Sequence, residues 1–77
     1  MPKITIYTLP ACHYCGEAKT YLTNKGFNYT EVNLIENKEE MKRVRALGVR
    51  SVPAITIGDE LMVGFDEETL DKKLGLV

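Results

Sequence analysis

Residues 4–19 read Ile-Thr-Ile-Tyr-Thr-Leu-Pro-Ala-Cys-His-Tyr-Cys-Gly-Glu-Ala-Lys. Ile4 and Ile6 alternate with polar residues among β-formers, so Lys3–Thr8 predicts a first strand, which Leu9-Pro10-Ala11 ends. From Cys12 to about Lys25 the period changes. Cys15, Ala18 and Leu22 recur at spacings of three and four, Tyr14 and Tyr21 flank them, and Gly26 stands where a helix terminates. The only two cysteines of the chain, Cys12 and Cys15, therefore fall where a strand hands over to a helix.

Working outward, Phe27–Asn33 alternates again and predicts a second strand, with Phe27, Tyr29 and Val32 inward and Thr30 and Glu31 near the surface. Asn37 followed by Glu40 has the form of an N-cap with a capping-box partner. Met41, Val44 and Leu47 then repeat at three-residue spacing up to Gly48, predicting a second helix over Lys38–Leu47. Ala54–Ile57 and Leu61–Val63 are β-rich runs around Gly58-Asp59, an antiparallel hairpin. Asp66 opens a last helix whose acidic start, Leu70/Leu74 pair, Lys72 and Lys73 near the end and Gly75 as terminator all agree with the helix dipole. The order β-α-β-α-β-β-α predicts an α/β fold: a parallel first pair of strands, a hairpin completing a four-stranded mixed sheet, and three helices flanking both faces.

Composition bounds the function. At 77 residues the chain is about half of a typical 150-residue domain, so residues 1–77 are read as one domain. Ten basic against eleven acidic residues leave a net charge of -1, too little positive charge to neutralise many phosphates, and no nucleic-acid partner is expected. No apolar run approaches the roughly 20 residues that span a bilayer, and the N-terminus MPKITIYT alternates where an export signal would carry an apolar block. The reading is a cytoplasmic protein without a membrane partner.

Two cysteines in a small intracellular domain call for a chemical explanation. Tetrahedral zinc needs four ligands, and beyond the pair the chain offers only His13, too close in sequence to close such a site; no metal is expected. A redox pair has a mechanism. At the first turn of a helix Cys12 meets free backbone N–H groups and the positive end of the dipole, which favour thiolate, so Cys12 is the expected nucleophile. Cys15, three residues on and shielded, suits the resolving role. His13 either adds an imidazolium beside Cys12 or is a solvated first-turn side chain. Tyr14 is read as a groove wall and Lys19 as part of a solvated face.

These residues resemble the glutaredoxin family of the thioredoxin fold. The likeness runs through ITIYT, CHYC, Ala18-Lys19, Ser51-Val52-Pro53 and Gly64-Phe65-Asp66. Glutaredoxins usually read C-P-Y-C, T-V-P and Gly-Gly-Cys-Asp; here His13, Ser51 and Val63 replace the proline, the threonine and the first glycine. The resemblance implies thiol–disulfide exchange at Cys12 and Cys15, on protein or glutathione mixed disulfides. It makes Pro53 a cis-proline and gives the Val52 backbone the task of pairing with the substrate. It also implies that Gly64, Phe65 and Asp66 line a site for glutathione, the expected co-substrate, with no cofactor bound. Many glutaredoxins place a lysine three residues before the first cysteine. That position is Leu9, which leaves Arg50 as the candidate cation for the glycyl carboxylate.

A related group, the NrdH-type redoxins, reduces ribonucleotide reductase and is recharged by thioredoxin reductase. Its members also open with ITIYT-like strands and carry Gly-x-Arg before the proline, as Gly48-Val49-Arg50 does here. Of their W-S-G-F-R-P stretch only Gly64-Phe65 is present. The expectation is a monomeric thiol–disulfide oxidoreductase or electron carrier, with glutathione or thioredoxin reductase as reductant and an NrdH-type redoxin as the alternative. An iron–sulfur carrier is the reading from a different class, since some glutaredoxins lacking the proline hold a cluster between two subunits.

Overall fold

The computed structural model describes residues 3–76; Met1 and Pro2 of the alternating N-terminus and Val77 lie outside the described residues. Strand β1 (Ile4–Thr8) leads to helix α1 (His13–Asn24), β2 (Thr30–Asn33), α2 (Lys38–Ala46), the hairpin β3 (Ala54–Ile57) and β4 (Glu60–Val63), and α3 (Glu67–Lys73). The sheet order is β2-β1-β3-β4. β1 runs parallel to β2, with Tyr7 opposite Val32, and antiparallel to β3, with Ile6 opposite Ile55. β3 pairs antiparallel with β4, with Ile55 opposite Met62. This is the thioredoxin fold, with the predicted element order.

Alternation along the central strands separates two cores. Ile4, Ile6, Ile55 and Ile57 face one side, against Ala18, Tyr21 and Leu22 of α1, Leu70 of α3 and Met62. Tyr7 and Ala54 face the other, against Leu34, Val44 of α2 and Val49. Both faces of the sheet are thus covered by helices. Among the described residues Thr8 is the one buried polar side chain, and it sits where β1 turns toward the cysteines.

All three helices end in the same way. Beyond α1, Gly26 at φ 82 sends its N–H to the Thr23 carbonyl and Phe27 sends its own to Leu22, at 3.0 and 2.9 Å. This is the paired-bond terminus that a left-handed glycine permits. Gly48–Val49 and Gly75–Leu76 repeat the pattern on α2 and α3. The motif explains two departures from the sequence expectation. The second strand starts at Thr30 instead of Phe27, because the Phe27 amide is spent closing α1, although Phe27 and Tyr29 still pack on the core. Leu47, expected inward, is 59% exposed, while Val49 beyond the glycine folds back onto Val44. The reversal at the glycine lets the residue after it fold back onto the helix, as Val49 does on α2, although Leu76 after α3 stays exposed.

The caps also differ. Asn37 occupies the N-cap of α2, but its side chain makes no bond to the helix. Its Nδ2 instead donates to the Asn33 carbonyl at 2.9 Å, closing the turn from β2, and Glu40, the expected box partner, is held by Arg43 at 2.8 Å. Arg43 also donates to the Tyr7 hydroxyl; the bond to Glu40, then the Tyr7 oxygen, raise the guanidinium pKa above its ordinary value. Asp66 is the N-cap residue of α3, but its carboxylate accepts from Thr69 Oγ1 at 2.6 Å and not from the backbone. In the hairpin only Met62 of β4 is buried; Leu61 and Val63 face outward from this edge strand.

The two leucines make the packing testable. Leu22→Ala opens a void in a fully buried position and is expected to cost about 2–5 kcal/mol, whereas Leu47→Ala is expected to stay within about 0.5 kcal/mol. Urea unfolding of both variants checks this; equal losses would contradict the burial pattern.

Candidate active site

The end of β1 aims the chain at the site. After Thr8, Leu9 is half-buried, and Ala11 adopts φ 60, a left-handed conformation that costs a non-glycine residue on the order of 1 kcal/mol. The turn delivers Cys12 to the N-cap of α1, with φ -95 and ψ 107. There its sulfur accepts the Cys15 N–H at 3.2 Å, the place usually taken by a serine or aspartate oxygen. A backbone donor and the helix dipole both favour negative charge on this sulfur. Cys15 is buried at 3% exposure and lies on the inner face of α1 with Ala18 and Leu22. The two Cα atoms are 5.3 Å apart and the sulfurs are bonded as a disulfide.

A groove of about 490 Å³ runs beside the pair, lined by Thr8 to His13, Cys15, Gly16, Lys19, Glu31 and Asn33. Its wall carries a network absent from the sequence reading. Glu31 accepts from Thr8 Oγ1 at 2.9 Å and from Lys19 at 3.2 Å. Lys19 is therefore half-buried and paired, not part of a solvated face. The network joins β1, α1 and β2, and no local spacing in the sequence signals it. His13 turns outward: its Nε2 lies 3.2 Å from Glu17 Oε1, with 78% of the side chain exposed, and its ring meets Tyr14 edge-on at 5.5 Å. Glu17 was legible, since it stands four residues after His13 on a predicted helix. Tyr14 is 58% exposed and is not among the residues that line the groove beside the cysteines.

The remaining candidates divide into two groups. Val52–Pro53 is a cis peptide; Pro53 is buried, and its carbonyl accepts the Gly64 N–H at 2.7 Å. Gly64 stands at φ 88, backbone that glycine adopts without penalty. The structure thus clasps the proline loop to the entry of α3. Phe65 packs edge-on against Tyr21 at 5.8 Å and shares a second groove, of about 600 Å³, with His13, Gly16 and Glu17. Asp66 is exposed beside it. Arg50 belongs elsewhere: it lines a separate depression with Arg45 and Val49 and is not part of the groove at Cys12.

A thioredoxin fold with a C-x-x-C pair at the head of its first helix, the leading sulfur capping the helix and the second one buried, defines a thiol–disulfide oxidoreductase. The glutaredoxin family model matches residues 4–62, and the chain belongs to the glutaredoxin family. A glutaredoxin-like 8.6 kDa protein from the rubredoxin operon of Clostridium pasteurianum is 36% identical over 70 residues, spanning 90% of this chain and 93% of its own. The glutaredoxin-like protein NrdH of Escherichia coli is 31% identical over 70 residues, spanning 91% and 86%. The solved structure of the E. coli NrdH-redoxin superposes with a TM-score of 0.86 over 91% of this chain and 92% of the other.

The exchange balances on the two sulfurs. In the reduced protein the Cys12 thiolate attacks one sulfur of a substrate disulfide, that bond breaks, and the departing thiolate takes up a proton. Cys15 then loses its proton and attacks the Cys12 sulfur, which releases the second substrate thiol and leaves the Cys12–Cys15 bond. Two electrons and two protons pass to the substrate.

Cys12→Ser is expected to abolish exchange, whereas Cys15→Ser still forms a stable mixed disulfide through Cys12, read by mass spectrometry. An adduct on Cys15 in the wild type would reverse the assignment. Glu17→Gln removes the carboxylate that lies 3.2 Å from His13, a negative charge little more than one helical turn from Cys12. Losing that repulsion of the thiolate should make the couple more oxidising by on the order of 10 mV, the scale of one exposed charge contact. Equilibration against a dithiol buffer measures this, and an unchanged or more reducing couple would contradict it.

Proposed function

We propose that the protein is an NrdH-type electron donor to disulfides in partner proteins, recharged by a thioredoxin-reductase-type flavoenzyme and working as a monomer in the cytoplasm. The charge distribution around Cys12 carries this reading. Glutathione joined to Cys12 presents two carboxylates, and a tight site for it needs cations within reach. The lysine in the groove is engaged by Glu31, the position three residues before Cys12 is Leu9, and Arg50 opens onto a different depression. A protein substrate depends less on such contacts. It is held through backbone pairing at Val52 and apolar contact with exposed Tyr14 and Val63.

The likeness to E. coli NrdH, whose structure is described as the basis of a thioredoxin-like activity profile, supports the same reading. On that likeness the proposed partner is ribonucleotide reductase. Glutathione is a second, poorer reductant. Exposed Asp66 next to the Gly64-Phe65 backbone suits the α-amino group of a γ-glutamyl residue, while exposed Val63 adds a branched side chain where the family pattern has glycine.

Loss of one charge-assisted contact costs about 1.5–3 kcal/mol, or roughly tenfold to a hundredfold in affinity. Disulfide reduction driven by NADPH and thioredoxin reductase is accordingly expected to exceed that driven by glutathione and its reductase by about tenfold or more in kcat/KM. Efficient turnover with glutathione and none with thioredoxin reductase would overturn the reading.

A further inference from the structure

The basic side chains are unevenly matched. Lys19, Lys42, Arg43, Lys72 and Lys73 each pair with a glutamate. Lys3, Lys25 and Lys38 make no such pair, and nor do Arg45 and Arg50: among the described residues neither guanidinium makes an ion pair or a side-chain hydrogen bond, and both are exposed. They nevertheless share one depression of about 450 Å³ with Val49. The depression is built by the fold. Gly48 and Val49 terminate α2 and anchor Val49 at 4% exposure in the second core, so Arg45, on the last turn of the helix, and Arg50, just past its end, line it together with a fixed apolar residue. From Arg50 the chain reaches the Val52–Pro53 loop in two residues.

We infer that the Arg45–Arg50 depression is a docking subsite for an acidic side chain of the protein substrate, flanking the cysteine that Cys12 attacks. This rests on the reading of the protein as a donor to protein disulfides. Two unpaired guanidiniums that line one depression repel one another, and a carboxylate received there relieves that repulsion and accepts N–H donors. Charge complementarity selects the occupant: on a chain of net charge -1 this is a local positive spot, so it attracts acidic segments while the molecule as a whole does not. A partner segment that pairs with the Val52 backbone passes beside Arg50, and a residue within a few positions of its cysteine reaches the depression. Glutathione has a single residue on the glycyl side of its cysteine and a shorter reach.

The test uses two disulfide peptides of equal length, one with aspartates flanking the cysteine and one with asparagines, reduced by the protein with thioredoxin reductase. Exposed charge contacts predict a kcat/KM about three- to tenfold higher for the acidic peptide at low salt, shrinking toward unity near 1 M salt. Arg45→Gln and Arg50→Gln are each expected to lower that ratio, and the double variant to abolish it. Lys38→Gln, which removes a charge at the other end of α2, is expected to preserve it. Equal rates on the two peptides in the wild type, a ratio that survives the double variant, or one that falls as far in Lys38→Gln would overturn the inference. Failure to reduce either peptide would instead count against the proposed function.

Discussion

The amide of Cys15 and the sulfur of Cys12 meet at 3.2 Å, and the working parts of the molecule are arranged around that contact. A sulfur can cap a helix only if the chain enters it extended, which requires β1 to stop at Thr8 and the backbone to swing through Ala11 at φ 60. The cap in turn sets the rotation of α1. With Cys12 at the N-cap, Cys15, Ala18 and Leu22 share one face and turn to the sheet. The same geometry exposes one sulfur and hides the other, so the division of labour between two chemically identical side chains follows from the register of a single helix.

The sheet keeps this arrangement rigid. β1 and β3 have neighbours on both sides and separate cores on both faces; β1 ends next to the cysteines and β3 begins at the proline loop. The hydrogen bond from Gly64 to the Pro53 carbonyl ties the start of α3 to that loop. The parts of the candidate site thus come from three distant stretches of chain, each fixed to a central strand or to a partner of one.

Much of this was legible in the amino-acid order, and the exceptions share a cause. Ile4, Ile6, Ala18, Leu22 and Leu70 declare their faces through spacing, and the cysteines declare the site because two thiols at a strand-to-helix junction have few other uses. Leu47 misled because periodicity counts residues along a regular helix, whereas the glycine terminus reverses the chain and puts Val49 in the core in its place. Asn37 and Asp66 hold the cap positions but spend their side chains on Asn33 and Thr69, a competition between local partners that the motif alone does not resolve. The Thr8–Glu31–Lys19 network and the opening of Arg50 onto a depression other than the groove at Cys12 depend on how separate elements lie in space, and nothing in the neighbouring residues encodes them.

The two cores have a consequence for how the protein tolerates change. One holds α1, α3 and the buried cysteine face; the other holds α2 and the chain leading to the proline loop, and the sheet lies between them. Side chains that share no partners contribute to stability nearly independently. Substitutions around Val44 and Val49 should therefore add to those around Leu22 and Leu70 without amplifying them. Away from Arg45 and Arg50, the α2 layer can accumulate differences in surface and charge up to the limit of overall stability, while the layer that sets the geometry of the reacting sulfurs is left undisturbed.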